Sequence, residues 1–229
     1  MTTTPIRYSS HFRQLLRIGI PIVFGQLGVI VLGFADTLMI GHYGTAELAS
    51  ASFVNNVFNL AIIFCTGFSY GLTPLIGSCF GNGNRTKAGE ILKNSLLSGG
   101  VVAVGLIVLL TVLYFNLHRL GQPDELLPYI RPYFIIILVS LLFLMLFNSF
   151  KQFSDGTTDT VTPMCVMLGA NVLNIIGNYL LIYGNFGCPE LGLTGAGIST
   201  LASRILTFGI FCVLFTKHSR YKLYREGFK

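Results

Sequence analysis

The chain has 229 residues, of which 52% are hydrophobic and 10% charged, with a mean hydropathy of +0.70. A soluble domain carries about 25% charged residues, so too little charge is present to coat a water-facing surface. The excess of 15 Lys and Arg over 9 Asp and Glu would suggest a nucleic-acid partner in a soluble protein, but in a membrane protein it sets topology; the expected partner is the lipid bilayer and no nucleic acid.

Six apolar blocks follow one another, at approximately 15–40, 47–80, 91–116, 130–153, 163–186 and 193–216. Each reaches the roughly 20 residues that span a bilayer core as a helix, whereas a transmembrane barrel would show alternating segments of about 10 residues. The expected fold is therefore an all-α integral membrane protein with six transmembrane helices. Its parts are an N-terminal arm at 1–14, a six-helix lobe at 15–216 and a basic tail at 217–229. The first block contains Gly19, Pro21, Gly25 and Gly28; Pro21 removes a backbone donor and crowds the preceding turn, which makes it a candidate hinge. The first block shows no signal-peptide cleavage pattern and is read as a retained helix.

Charge fixes the expected orientation. Arg7, Arg13 and Arg17 precede the first block, Arg85, Lys87 and Lys93 follow the second, Lys151 is counted with the loop after the fourth, and Lys217, Arg220, Lys222, Arg225 and Lys229 crowd the tail. The opposite loops hold only Arg119 and Arg131. Both termini are expected in the cytoplasm. Between blocks lie turns rich in glycine or proline, among them Gly81-Asn82-Gly83-Asn84, which reads as a tight turn and lacks the strand and third glycine of a nucleotide site.

Asp36 is the sharpest chemical feature. The other acids fall in loops, tails or helix ends, while Asp36 lies inside the run Gly33-Phe34-Ala35-Asp36-Thr37-Leu38-Met39-Ile40. An aspartate at a helix centre costs about 2.5 to 3.5 kcal/mol on insertion scales, so it should face a cavity or partner and mark an ion or proton site. Asn171, Asn174 and Asn178 in the fifth block share one helical face, where they can bond neighbouring helices or offer neutral oxygens to a cation. Asp36 lies roughly 28 Å along an outward helix from Arg17, and Asn178 roughly 22 Å from Pro163. With Thr200 in the sixth block, these residues can share one level if their helices are neighbours.

Other polar residues carry weaker readings. Gln26, near Pro21, either satisfies backbone freed by the proline or lines a cavity. Asn55, Asn56 and Asn59 line a cavity or bond to neighbours, and Arg204 either meets a carboxylate or points into a lumen. The glycine pairs Gly67/Gly71 and Gly77/Gly81 suit close helix contact. Five cysteines, Cys65, Cys79, Cys165, Cys188 and Cys212, form no C-x-x-C pair and read as packing residues. The scattered histidines form no metal set, and no Cys/His, Ser/His or paired-carboxylate arrangement appears at membrane depth, so an enzyme is not expected.

Several of these runs together resemble a known family. Pro21, Gln26 and Phe34-Ala35-Asp36-Thr37-Leu38-Met39-Ile40-Gly41-His42-Tyr43-Gly44, then Gly71-Leu72-Thr73-Pro74-Leu75-Ile76-Gly77 and Gly81-Asn82-Gly83, are similar to the opening of multidrug and toxic compound extrusion (MATE) transporters. Gln152-Phe153-Ser154-Asp155-Gly156, Thr162-Pro163, Asn174-x-x-x-Asn178-Tyr179, Tyr183-Gly184-Asn185-Phe186-Gly187 and Gly195-Ala196-Gly197-Ile198-Ser199-Thr200 continue the resemblance in order. It looks closest to the NorM-type branch and matches only the N-terminal six-helix lobe of a twelve-helix architecture. What it implies is one lobe of a cation-coupled antiporter, driven by Na+ or H+ and exporting amphipathic or cationic drugs from a bacterial inner membrane.

Carried over residue by residue, the resemblance makes Asp36, Asn174 and Asn178 the cation site, with Na+ at Asp36 the one metal it allows and the coupling ion the only ligand in place of a cofactor. Gln26, Asn55, Asn59 and Thr200 become candidate cavity-lining residues, Thr200 matching most loosely, and Pro21 the hinge. Some members carry aspartate where Asn178 stands, so the resemblance does not imply a two-carboxylate mechanism here. Its implied partners are drug molecules and either a C-terminal lobe or a second copy, truncation being favoured over pairing. The alternatives are a lipid-linked oligosaccharide flippase of the same superfamily, for which Arg204 would be the lone cavity cation, and a non-transporting membrane scaffold or fragment.

Overall fold

The structure is a computed structural model that describes residues 8–228. Residues 1–7 of the expected arm, with Arg7, and Lys229 of the tail lie outside the described residues. Eight helices follow in order: α1 (Tyr8–Tyr43), α2 (Thr45–Tyr70), α3 (Leu72–Gly81), α4 (Arg85–Phe115), α5 (Leu127–Gly156), α6 (Val161–Tyr183), α7 (Gly192–Lys217) and α8 (Lys222–Phe228). Short 3-10 turns join some of them, and no strand occurs among the described residues. Six spans, with α2 and α3 forming one of them, are long and apolar enough to cross a membrane, which agrees with the expected fold class.

Local chemistry sets the breaks. Pro74, in the first turn of α3, has no N–H to give the carbonyl four residues earlier, and the helical ladder is interrupted at Gly71. The second block is thus two helices laid end to end. The Gly81–Asn84 turn closes with Gly83 at φ +71°, and the Asn84 side chain accepts from the Lys87 N–H at 3.0 Å, capping α4. α6 ends at Gly184 in the left-handed conformation, φ 68°, as a helix C-terminus favours. Pro21 lies inside the unbroken α1 and is buried.

α5 is the centre of the bundle. Over half of its most apolar window is buried, 56%, against 33% or less for the other spans; it packs on α2, α3, α4 and α7. At one end Phe58 meets Phe134 edge-on at 4.8 Å. At the other, Phe150 stacks on Phe211 at 6.0 Å and Phe153 meets Tyr224 at 5.2 Å. Inside a bilayer these contacts stabilise through close packing, because lipid tails are as apolar as the side chains themselves. Leu60, Val101 and Phe115 point outward, as a body solvated by acyl chains requires. Cys65 and Cys79 pack in the interior, as expected, but Cys165 is exposed.

The basic end of the bundle is held by ionic contacts. Lys151, counted with a loop in the sequence, is buried inside α5 and bonded to Asp155 at 2.8 Å; this pairing lets the helix run on to Gly156. Asp159 accepts from the Thr162 hydroxyl at 2.9 Å at the start of α6, from the Tyr221 hydroxyl at 3.2 Å, and pairs with Arg220 at 3.1 Å. One buried carboxylate therefore ties the tail to the α5–α6 corner. α8 then lies close on α4, where an added Cβ at Gly89 would meet the Tyr224 carbonyl and one at Gly227 the Thr86 carbonyl.

Asp159→Ala should cost about 1–3 kcal/mol and speed tryptic cleavage at Arg220 and Lys222 severalfold; an unchanged cleavage rate would show that the tail is held elsewhere. Burial, with the Asp159 charge adding to it, pushes the Tyr221 hydroxyl up from 10.0 to about 12. Because the folded value is raised, its contribution is complete below pH 10.0 and is lost as pH rises to about 12. Tyrosinate absorbance at 295 nm should accordingly lose part of its rise near pH 12 in Tyr221→Phe.

Candidate functional site

Asp36 sits in the C-terminal half of α1, and α6 packs along that helix. The Asn178 amide nitrogen donates to Asp36 Oδ1 at 2.5 Å. One turn earlier on α6, Asn174 lies beside both groups. With its amide nitrogen toward Asp36 it donates to Oδ1 at 3.2 Å while its oxygen accepts from the Thr200 N–H at 3.2 Å. Turned the other way, its oxygen accepts from Asn178 at 3.2 Å and its nitrogen donates to the Thr200 hydroxyl at 3.4 Å. Asn178 Oδ1 is buried and has no hydrogen-bond partner among the described residues. Three of the residues expected to share one level are thus in direct contact, and Thr200 joins them from α7.

The packing that brings α6 and α7 together depends on small residues. An added Cβ at Gly195 would stand 2.5 Å from the Leu181 carbonyl oxygen, and Gly177 gives room for Ser199, whose hydroxyl donates to the Asn174 carbonyl at 2.8 Å. Backbone approach at these points sets how near Thr200 comes to Asn174.

Beside the carboxylate opens a cavity of about 570 Å³. Asp36, Asn174 and Thr200 line it from one side, Gln26 from α1 and Asn55 and Asn59 from α2. Gln26 makes no hydrogen bond to the backbone around Pro21 among the described residues, so of its two readings the lining one fits. Asn171, on the same face of α6, also lines the cavity, and its amide nitrogen is buried without a partner among the described residues.

α5 supplies a polar wall that sequence reasoning missed. Tyr133 donates to Asn55 at 3.3 Å, and Asn148, Lys151 and Gln152 line the same cavity; Gln152 accepts from Thr73 at 2.7 Å. The signal was available, since Tyr133, Ser140, Asn148, Lys151 and Gln152 recur at spacings that return to one helical face. Arg204 of α7 is also in the lining and donates to Ser140 at 2.6 Å.

The MatE family model matches residues 21–180, a stretch that includes Asp36, Asn174 and Asn178. The chain belongs to the MatE family. It is 30% identical over 218 residues, 95% of this chain and 48% of the relative, to the probable multidrug resistance protein NorM of Photorhabdus laumondii subsp. laumondii. This MatE chain thus spans about half the length of the curated relative it matches. Among solved structures it superposes with a TM-score of 0.80 on a MOP superfamily transporter from Pyrococcus furiosus, at 21% identity over 92% of this chain and 46% of that one. An outward-facing multidrug resistance MATE family transporter gives a TM-score of 0.81 at 21% identity with the same coverage. These likenesses establish the fold: a multi-pass, all-α membrane protein built as one lobe of a MATE transporter.

In this MatE lobe the contact at Gly195 is a backbone constraint. Gly195→Ala should push α7 from α6 and lower stability by about 1–3 kcal/mol. Reaction of the buried Cys65 and Cys79 thiols with a fluorogenic maleimide during heating reads this as a lower Tm, and an unchanged Tm would show that the helices accommodate the methyl group.

Proposed function

We propose that this chain is the ion-binding lobe of a cation-coupled antiporter that exports amphipathic or cationic drugs. The observation that carries the reading is the Asp36 carboxylate, met by Asn178 at 2.5 Å and opening onto a cavity large enough for a drug-sized molecule. An intramembrane acid beside two carboxamides, one of which meets the Thr200 hydroxyl, can hold a proton or a hard cation, which takes oxygen ligands.

The carboxamides suit both states. An amide offers N–H to a lone carboxylate and, once turned, C=O to a cation bound beside it. Asn174 is placed for either orientation, and Asn178 Oδ1 is a buried oxygen without a donor. Na+ would be held by Asp36, Asn174 and Asn178, with Thr200 at the margin; H+ would sit on Asp36 itself. Either ion neutralises the carboxylate and weakens its hold on a cationic drug. The ion and the drug thereby compete for one charge, and the ion's preference for one arrangement of α1 about Pro21 shifts the population toward drug release.

The basic end, with Arg85, Lys87 and the tail, would face the cytoplasm of a bacterial cell. A second lobe, on a longer chain or from another copy, would complete the drug pathway.

Asp36→Asn removes the charge and keeps the shape. In lipid nanodiscs, ethidium bound to the wild type should be released by Na+ or by acidification, whereas Asp36→Asn should bind at least tenfold more weakly and respond to neither. In a full-length context the same change should abolish ion-driven efflux; efflux equal to wild type would sink the proposal.

A further inference from the structure

The cavity has three charged lining residues, Asp36, Lys151 and Arg204. Each has a protein partner, but only Lys151 is paired with an opposite charge. Asp36 is hydrogen-bonded by Asn178, and Lys151 is paired with Asp155 at 2.8 Å. Arg204 has no carboxylate within 4.0 Å among the described residues, and its one hydrogen bond is to the Ser140 hydroxyl at 2.6 Å. That hydroxyl in turn donates to the Ile137 carbonyl at 2.7 Å, which fixes its lone pair toward the guanidinium.

A guanidinium carries five N–H donors in a planar fork. One bond to a neutral hydroxyl leaves most of that fork without a protein acceptor among the described residues, on a side chain that lines the cavity. A cation is expensive at membrane depth, and its persistence in a lining position marks it as functional. Arg204 and Asp36 lie within electrostatic reach of one another yet do not pair, each being held by its own neutral partner, Ser140 and Asn178. The cavity is therefore bipolar, with an acid on α1 and a guanidinium on α7.

We propose that Arg204 is the anion-accepting pole of this cavity, so that the lobe selects amphiphiles bearing a carboxylate as well as a cationic amine over amphiphiles that are only cationic. The inference rests on the cavity being the drug site. A carboxylate suits the guanidinium by accepting two parallel N–H bonds, while the amine of the same molecule turns to Asp36. When a coupling ion neutralises Asp36, the amine loses its partner and Arg204 keeps the carboxylate. Zwitterionic and purely cationic ligands should then differ in how strongly the ion displaces them.

The test is ligand binding to the purified 229-residue chain in lipid nanodiscs at neutral pH, read by the fluorescence polarisation of each probe. The probes are norfloxacin, which has both a carboxylate and an amine, its ethyl ester, which keeps only the amine, and ethidium, which is only cationic. Wild type should bind norfloxacin about tenfold more tightly than the ester, the worth of one charge-assisted pair. Arg204→Gln should weaken norfloxacin by about that factor and leave the ester unchanged, and Arg204→Lys should restore part of the preference. If Arg204→Gln does not fold, the acid and ester contrast in wild type and its reduction in Arg204→Lys decide the matter. Equal binding of acid and ester by wild type, or an equal loss of both in Arg204→Gln, overturns the proposal. If that happens while ethidium still binds through Asp36, the anion pole alone falls; if none of the three probes binds, the drug-cavity reading falls with it.

Discussion

A carboxylate placed among acyl chains has to be answered by protein, and the bond from Asn178 to Asp36 at 2.5 Å is that answer. It joins the first helix of the chain to the fifth span, 142 positions later. Much of the surrounding packing follows from keeping this pair in register. Asn174 must sit one turn away on the same face, Thr200 must reach it from α7, and α7 must therefore come close enough to α6 that Gly195 and Gly177 have no room for a side chain. The small residues are a consequence of the polar contact as much as a motif for helix association.

α5 resolves the opposite demand. A bundle centre in a membrane gains from dense apolar packing, yet this cavity has polar walls. α5 does both by face: Ile130, Phe134 and Leu141 pack inward with α2 and α4, while Tyr133, Asn148 and Gln152 meet the cavity. The charge it carries in its buried stretch is neutralised internally, Lys151 against Asp155. Asp159 performs a similar service for the tail, where its buried carboxylate holds the exposed Arg220.

The spans and the membrane setting were legible because they are properties of composition: long apolar blocks need no knowledge of neighbours. Asp36 was legible for the same reason, as an acid that violates its local context. Asn174 and Asn178 could be put on one face by spacing, but their contact with α1 is a fact of helix adjacency that no local pattern states. Lys151 misled, since a lysine near a block edge reads as a loop residue until its partner four positions on is seen to bury with it. Gly71 misled similarly, because hydropathy does not register the missing N–H of Pro74 and continues across the break. Tyr133 and Ser140 were hidden by their surroundings: single hydroxyls in an apolar run carry little hydropathy signal, and only three-dimensional packing shows that they hold Asn55 and Arg204 in place.

Gln26, Asn55 and Asn59 are all exposed on this lobe, and all line the cavity. Lipid-facing positions elsewhere on the same helices are filled by residues such as Val23, Phe24, Leu60 and Ile63, so the exposed amides form a polar strip on an otherwise apolar belt. Hydrocarbon cannot satisfy amide groups, and a strip of them facing acyl chains would cost free energy at each position. Under the proposed function this strip faces water, a drug or a second lobe. The same requirement explains why the two charges of opposite sign are both placed on the cavity side: a field that discriminates among ligands has to act where water is scarce enough for a single charge to count, and where the walls are fixed by packing rather than by solvent. The helix that carries the acid is the least buried span, at 11% of its window, and the helix that carries the guanidinium packs extensively on α5 and α6. A displacement of α1 would therefore move the acid relative to a stationary guanidinium, changing the spacing of the two poles and with it the ligand that fits.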